Sequence, residues 1–151
     1  MKTLLILSLP ALLLFSCCFG SRKCLPDLNS ARFRIISSAN GQDMVFGPSK
    51  IYNKNLIKFY SLDGADTIFH HYGAGSNPNP GGDSLLFVDF DYRKKDIVYV
   101  ALNNSDIDTL VLNYTIVDAS PCCQDYSKVQ PASYNNLLLQ TVYEGITIIR
   151  K

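Results

Sequence analysis

Adjacent histidines His70 and His71, adjacent cysteines Cys122 and Cys123, and two aspartate pairs are the groups in this sequence whose types and spacing suggest chemistry. A Cys₂His₂ metal site built from the first two pairs fails on geometry. Neighbouring residues on a strand point to opposite faces, and neither pair has the gap of about two to four residues usual between zinc ligands. A hydrolase triad would need Ser76, a histidine and an aspartate to meet through tertiary structure alone, because no nucleophile elbow surrounds Ser76. Gly73-Ala-Gly-Ser76 lacks the lysine and the following helix of a phosphate loop. Asp89 with Asp91, and Asp106 with Asp108, share a face if the chain is extended, which could bring two carboxylates to a calcium ion. With no EF-hand or repeat around them, turn and strand-edge chemistry is the favoured reading. No metal or cofactor is expected. Only the two histidines could titrate near neutrality, so catalytic groups are scarce and a non-enzymatic protein is expected.

Composition points to strands. Asp outnumbers Glu twelve to one, and Asp favours turns and caps where Glu favours helices. Nine Tyr, eight Phe and many β-branched residues agree with this. Apolar residues make up 47% of the 151, which argues against global disorder and allows one domain with a core of its own. The full-length charge is +1, and loss of Lys2 with a leader would bring the side chains to zero. That balance gives no footprint for nucleic acid and no polybasic patch for anionic lipid.

The chain begins Met-Lys-Thr and continues with an apolar run from Leu4 to Phe15. One lysine before a short apolar run is the pattern of a secretion signal. A membrane-spanning helix would need about 20 apolar residues, and this run is shorter and contains Pro10. Leu14-Phe15-Ser16-Cys17 resembles the bacterial lipobox, with Phe15 a less usual choice at its variable position. The resemblance implies lipid transfer to the Cys17 thiol, cleavage before Cys17, and a membrane anchor of two or three acyl chains. Each buried CH₂ contributes about 0.8 kcal/mol, so several chains hold where one would not. The competing reading is an ordinary secreted protein cleaved near Gly20 or Ser21. In a Gram-negative cell, Cys18 is not the Asp associated with inner-membrane retention, and Arg22-Lys23 is unlike an acidic surface-export signal. An outer-membrane location facing the periplasm is then expected, with surface display as the alternative.

Cysteines occur at 17, 18, 24, 122 and 123. Export makes disulfides permissible. With Cys17 lipidated, four thiols remain and allow three pairings. The expected bond joins Cys24 to Cys122 or Cys123, with a buried pair of free thiols as the alternative.

These groups must be positioned by short strands. Residues 1–16 read as the signal, 17–31 as a tether and 32–151 as one domain. Arg32-Phe-Arg-Ile-Ile36 alternates with Phe33 and Ile35 on one face. Asn40-Gly41 marks a turn before Met44-Val-Phe46, and Gly47-Pro48 breaks that run. Strand runs follow at Leu56–Leu62, Asp66–Tyr72, Leu85–Phe90, Ile97–Leu102, Thr109–Val117, Leu137–Tyr143 and Ile146–Ile149. Asp63-Gly64 turns the first of these into the second, its hairpin partner. The similarity of Asp66–Tyr72 to Asp108–Tyr114 is what generic hairpin chemistry produces. Residues 73–83, rich in Gly, Asn and Pro, read as the longest loop. About eight short strands at such spacing predict an all-β fold, an antiparallel β-sandwich of immunoglobulin-like or transthyretin-like type.

The mature chain also resembles a group of small hypothetical lipoproteins from Bacteroidetes. The resemblance lies in the Cys17 lipobox, Asn40-Gly-Gln-Asp-Met-Val-Phe-Gly47, Ile57–Leu62, Asp108-Thr-Leu110 and Cys122-Cys123 near Tyr126. It implies no activity, because that group has none assigned.

The expected function is a lipid-anchored binding or interaction module of the cell envelope, with an unknown envelope protein or ligand as partner. Ser76, Asn77, Asn79 and Asp83 are the candidate contacts, since loops on a rigid scaffold are where partners bind. An accessory subunit joined through edge-strand pairing is the alternative. A secreted hydrolase is the third reading.

Overall fold

A computed structural model describes residues 28–76, 84–90, 95–118, 125–142 and 145–151. Cys17, Cys24, Asn77, Asn79, Asp83, Cys122 and Cys123 lie outside the described residues, as do the signal and most of the tether.

The fold is an all-β sandwich. One sheet is formed by β1 (Ser30–Ile36), β4 (His71–Ser76), β5 (Ser84–Asp89), β10 (Gln140–Val142) and β11 (Ile146–Arg150), in the order β10-β11-β1-β5-β4. The other has β2 (Lys58–Asp63), β3 (Asp66–Phe69), β6 (Ile97–Ala101), β7 (Ile107–Val117), β8 (Tyr126–Tyr134) and β9 (Leu137–Leu138), in the order β3-β2-β6-β7-β8-β9. Pairing is antiparallel except between β1 and β11.

The alternation read in the sequence produces the core. Phe33 and Ile35 of β1, Leu86 and Val88 of β5 and Ile149 of β11 turn inward from the smaller sheet. They meet Phe59 of β2, Val98 and Val100 of β6, and Leu110 and Leu112 of β7. Phe33 stacks on Phe59 with ring centroids 6.0 Å apart and takes Phe90 edge-on at 6.4 Å.

Both flanks of the sandwich are closed in the same way. On one flank β3 pairs with β2, the chain passes through His70, and β4 continues it into the other sheet. On the opposite flank β9 pairs with β8, the chain passes through Leu139, and β10 joins β11. An extended chain that changes sheets without turning gives no break in the hydrophobic pattern. This is why Asp66–Tyr72 and Leu137–Tyr143, read as single strands, are each divided.

Several expectations change. The structure has eleven strands among the described residues where about eight were expected. Two additions come from the divided runs. A third is β8, whose Pro131 argues against a central strand. Pro131 sits beside the β-bulge where β7–β8 register shifts, a position that tolerates the missing N–H donor. Residues 44–46 form no strand; Asp43 makes only an isolated bridge to Ile36. Gly73–Ser76, read as loop, belongs to β4 and pairs from Gly73↔Phe87 to Ser76↔Ser84. A Cβ at Gly75 would stand 3.4 Å from Phe87 Cε2, so the glycine allows close packing on the neighbouring strand. Residues 28–31, read as tether, join the sandwich. Leu28 N donates to Ser127 O, Val129 N donates to Leu28 O, and β1 starts at Ser30. The hairpin at Asp63-Gly64 holds as read. Gly64 has φ of +63° in a two-residue loop between the paired Asp63 and Asp66, the position that a type II′ turn reserves for glycine.

Candidate functional site

Outward positions of an exposed sheet are ordinarily polar. On the larger sheet Thr67, Lys128 and Gln130 keep to this, but part of the outer face of β2, β3 and β6 does not. Lys58, Tyr60 and Leu62 of β2 alternate with buried Phe59 and Ser61, so apolar residues stand on both faces of β2. The same holds for β6, where Ile97 and Tyr99 point outward and Val98 and Val100 inward. Register then aligns the rings across three strands. Phe69 pairs with Tyr60, and Tyr60 pairs with Tyr99. Tyr60 and Tyr99 stack at 5.3 Å with 23° between planes, and Tyr60 meets Phe69 at 6.0 Å and 51°. Leu62 and Ile97 flank this row on one side; Leu56, Ala101 and Ile107 flank it on the other. Phe69 is 64% exposed, Leu56 58%, Ile107 54%, Leu62 49% and Ile97 46%, half of the large apolar residues left exposed on the described chain. With about 200 Å² for a large apolar residue, these five expose on the order of 500 Å². That is the size of the largest apolar patch on a typical monomer, about 300–600 Å², a patch that is often functional.

This face was not identified from the sequence. The available signal was Leu56-Ile-Lys-Phe-Tyr-Ser-Leu62, where apolar residues fall on both parities of the strand. The residues chosen instead do not assemble into a described site. Ser76 ends β4, opposite Ser84, and Asn77, Asn79 and Asp83 lie outside the described residues.

Of the chemical groups singled out earlier, His70, Asp106 and Asp108 have structural partners, while Asp89 ends β5 and its pair Asp91 lies outside the described residues. His70 is buried at the sheet switch, edge-on to Phe90 at 5.4 Å, with Nε2 2.8 Å from Ser61 Oγ. Ser61 Oγ donates its one proton to Ile97 O at 2.8 Å, so His70 Nε2 is the donor to Ser61. A nitrogen that carries a proton cannot act as base toward that hydroxyl, and this pair serves to fasten the switch to β2 and β6. His71 begins β4 and is exposed.

Asp106 and Asp108 do come together, and the cation between them is Lys151. Lys151 Nζ donates to Asp106 Oδ1 at 2.5 Å and also to Asp108 Oδ2. Tyr134 Oη donates to Asp108 Oδ2 at 2.5 Å, Asn135 Nδ2 to Asp108 Oδ1 at 2.6 Å, and Tyr52 Oη to Asp106 Oδ2 at 2.8 Å. Burial pushes the Asp108 carboxyl up, but the hydrogen bonds from Lys151, Tyr134 and Asn135 together outweigh it and hold the group below its ordinary value. Burial and the neighbouring carboxylates push the Tyr52 and Tyr134 hydroxyls up. Burial alone would lower Lys151, and its bonds to the two aspartates raise it. The network links the smaller sheet to β7, to β8 and to the segment before β2. Among the described residues no cluster of three or more potential metal ligands occurs.

No family model matches the chain, and no curated protein or solved structure shows significant similarity to it. The reading of the site therefore rests on its own geometry.

Proposed function

We propose that the protein is a non-enzymatic, lipid-anchored interaction module of the cell envelope, held to the membrane through Cys17. In this reading the aromatic face of the larger sheet is the contact surface. The observation that carries the reading is that face: on the order of 500 Å² of apolar side chain presented by four paired strands and the turn before β2. In a Gram-negative cell the reading places the domain on the periplasmic side of the outer membrane.

Leu28 forms a parallel bridge to Lys128, so the described chain begins near the end of the sandwich where Val117 pairs with Tyr126. In this reading that end faces the membrane. Asp106, Asp108 and Asn135 then stand at the opposite end. The same geometry supports a disulfide from Cys24 to Cys122 or Cys123. Cys24 precedes Leu28 by four residues and Cys123 precedes Ser127 by four, and the two following positions are hydrogen-bonded to each other. Closing a loop of about 100 residues would contribute about 4–5 kcal/mol by the loop-entropy argument. Peptide mapping without reductant is expected to recover that cross-linked pair; finding Cys24 as a free thiol would reject it.

Photo-cross-linking in the producing cell tests the function. A cross-linker at Tyr60 or Phe69 is expected to capture protein adducts in the membrane fraction, and one at Arg32, on the outer face of the other sheet, is not. Cys17→Ser is expected to move the protein out of the membrane fraction. Absence of adducts at both Tyr60 and Phe69 would sink the interaction reading, and a membrane-bound Cys17→Ser protein would sink the anchor.

Edge-strand pairing is the second reading, favoured by β4. This strand has six residues and, among the described residues, a neighbour on one side only; β9 and β10 have two and three residues. A donated strand would add to the β4 edge by backbone hydrogen bonds.

A further inference from the structure

We propose that the aromatic face docks against the same face of a second copy of this chain, forming a two-fold symmetric dimer. The inference rests on the interaction reading above and names the partner.

Area is the first argument. A standard interface buries about 800 Å² on each partner, and homodimer interfaces are about 65% apolar. That requires about 500 Å² of apolar surface per copy, which the five exposed side chains of this face supply with the polar positions around them as rim.

Symmetry is the second argument. A two-fold interface places each patch against itself, so the patch must be self-complementary. The row Phe69, Tyr60, Tyr99 crosses the strands, and apolar residues lie on both sides of it: Leu62 and Ile97 toward one end of the sheet, Leu56 and Ile107 toward the other. A two-fold axis along the row lays ring on ring and exchanges the two flanks, which sets Ile97 against Ala101 and Val111 against Ile107 of the second copy. Lys58 is the charge on the outward face of β2. The same axis carries it onto Leu62 of the second copy, where its aliphatic stem lies along the leucine, and no like charges are opposed.

Shape is the third argument. The face is a pleated sheet surface, and the surface that best covers one is another, at about 10 Å separation. The inner face of this same sheet is already covered in that way. A bilayer, by contrast, is entered by protruding loops or amphipathic helices, and this face offers neither.

Native mass spectrometry of the protein purified from its producing cell in mild detergent tests the proposal. A mass of two chains is expected. Phe69→Lys and Ile97→Lys, both at exposed positions, are expected to weaken the dimer at least tenfold with an unchanged far-ultraviolet dichroism spectrum. Arg32→Glu, on the other sheet, is expected to leave it intact. A monomer in the unmodified protein, or a dimer indifferent to both face substitutions, overturns the proposal. If the protein is monomeric while Tyr60 and Phe69 cross-link a different protein in cells, the interaction reading stands and the second copy is excluded. If there is neither dimer nor cross-link, both readings fall.

Discussion

Replacing Lys151 with Met is expected to lower the unfolding free energy by about 3 kcal/mol, because removing one partner of a buried ion pair strands the other. Asp108 is the group stranded: its side chain is only 8% exposed, and Asp106 beside it is 28% exposed. Tyr134 and Asn135 would still donate to Asp108, which keeps the loss at the lower end of the range for broken buried pairs. Met preserves most of the apolar stem, so lost packing contributes little. Replacing Asp108 with Asn should cost less, since Lys151 keeps Asp106. Urea unfolding at pH 7 measures both.

The same network sets the pH limits of the fold. Asp108 is held below its ordinary value, so its contribution is present above the unfolded value near 3.9 and is lost as pH falls through the lower folded value. Lys151 is raised, so its contribution is complete below the unfolded value near 10.4 and is lost as pH rises through the higher folded one. Tyr52, Tyr72 and Tyr134 act in the alkaline direction too. Burial, the largest cause for each, keeps them protonated in the fold when the unfolded chain would ionise near pH 10. The contribution of these groups to the urea midpoint should therefore be flat between about pH 4 and pH 10 and fall outside that window. In Lys151→Met the acid fall should be smaller, because Asp108 loses the charged donor that holds its folded value below the unfolded one. The alkaline fall should persist through the tyrosines.

What the sequence reveals of this fold is whatever is local. Period-two alternation at Arg32–Ile36 predicted which residues enter the core, and Gly64 marked its hairpin. The face shared by Asp106 and Asp108 followed from their spacing. Lys151, the cation they hold, is 43 residues beyond Asp108 and is brought there by the parallel pairing of β1 with β11 and the Lys151–Ile36 backbone bond. Long-range closure of that kind leaves no local pattern. The switch at His70 was hidden for a related reason: residues 66–72 read as one continuous strand, and only the partners differ on its two sides. At Gly73–Ser76 pairing with β5 overrode weak propensity, since β-propensity mostly reflects the neighbouring strand. At Tyr126–Tyr134 a proline that belongs to a bulge concealed a strand of nine residues.

Adjacent residues of β2 should separate stability from association. Phe59→Ala is expected to cost about 4 kcal/mol, the range for emptying a buried aromatic site. Phe59 is 1% exposed, stacks on Phe33 and lies 5.8 Å from the ring of Tyr72, so its removal opens a cavity that three strands cannot close. Against a total stability of about 5–15 kcal/mol for an ordinary domain, that loss should bring the urea midpoint down sharply. Tyr60→Ala one residue away faces outward. It gives up contacts with Phe69 and Tyr99 worth about 1 kcal/mol and leaves the interior filled. The urea midpoint of Tyr60→Ala should therefore stay near the parent's, and its dimer should weaken because Tyr60 is the centre of the ring row. The inverse is expected for Phe59→Ala under conditions where it remains folded: reduced stability with the outward rings still in register. If both substitutions lowered stability equally and neither changed the dimer, the two faces of β2 would have one role, and the division between a core face and a docking face would be wrong.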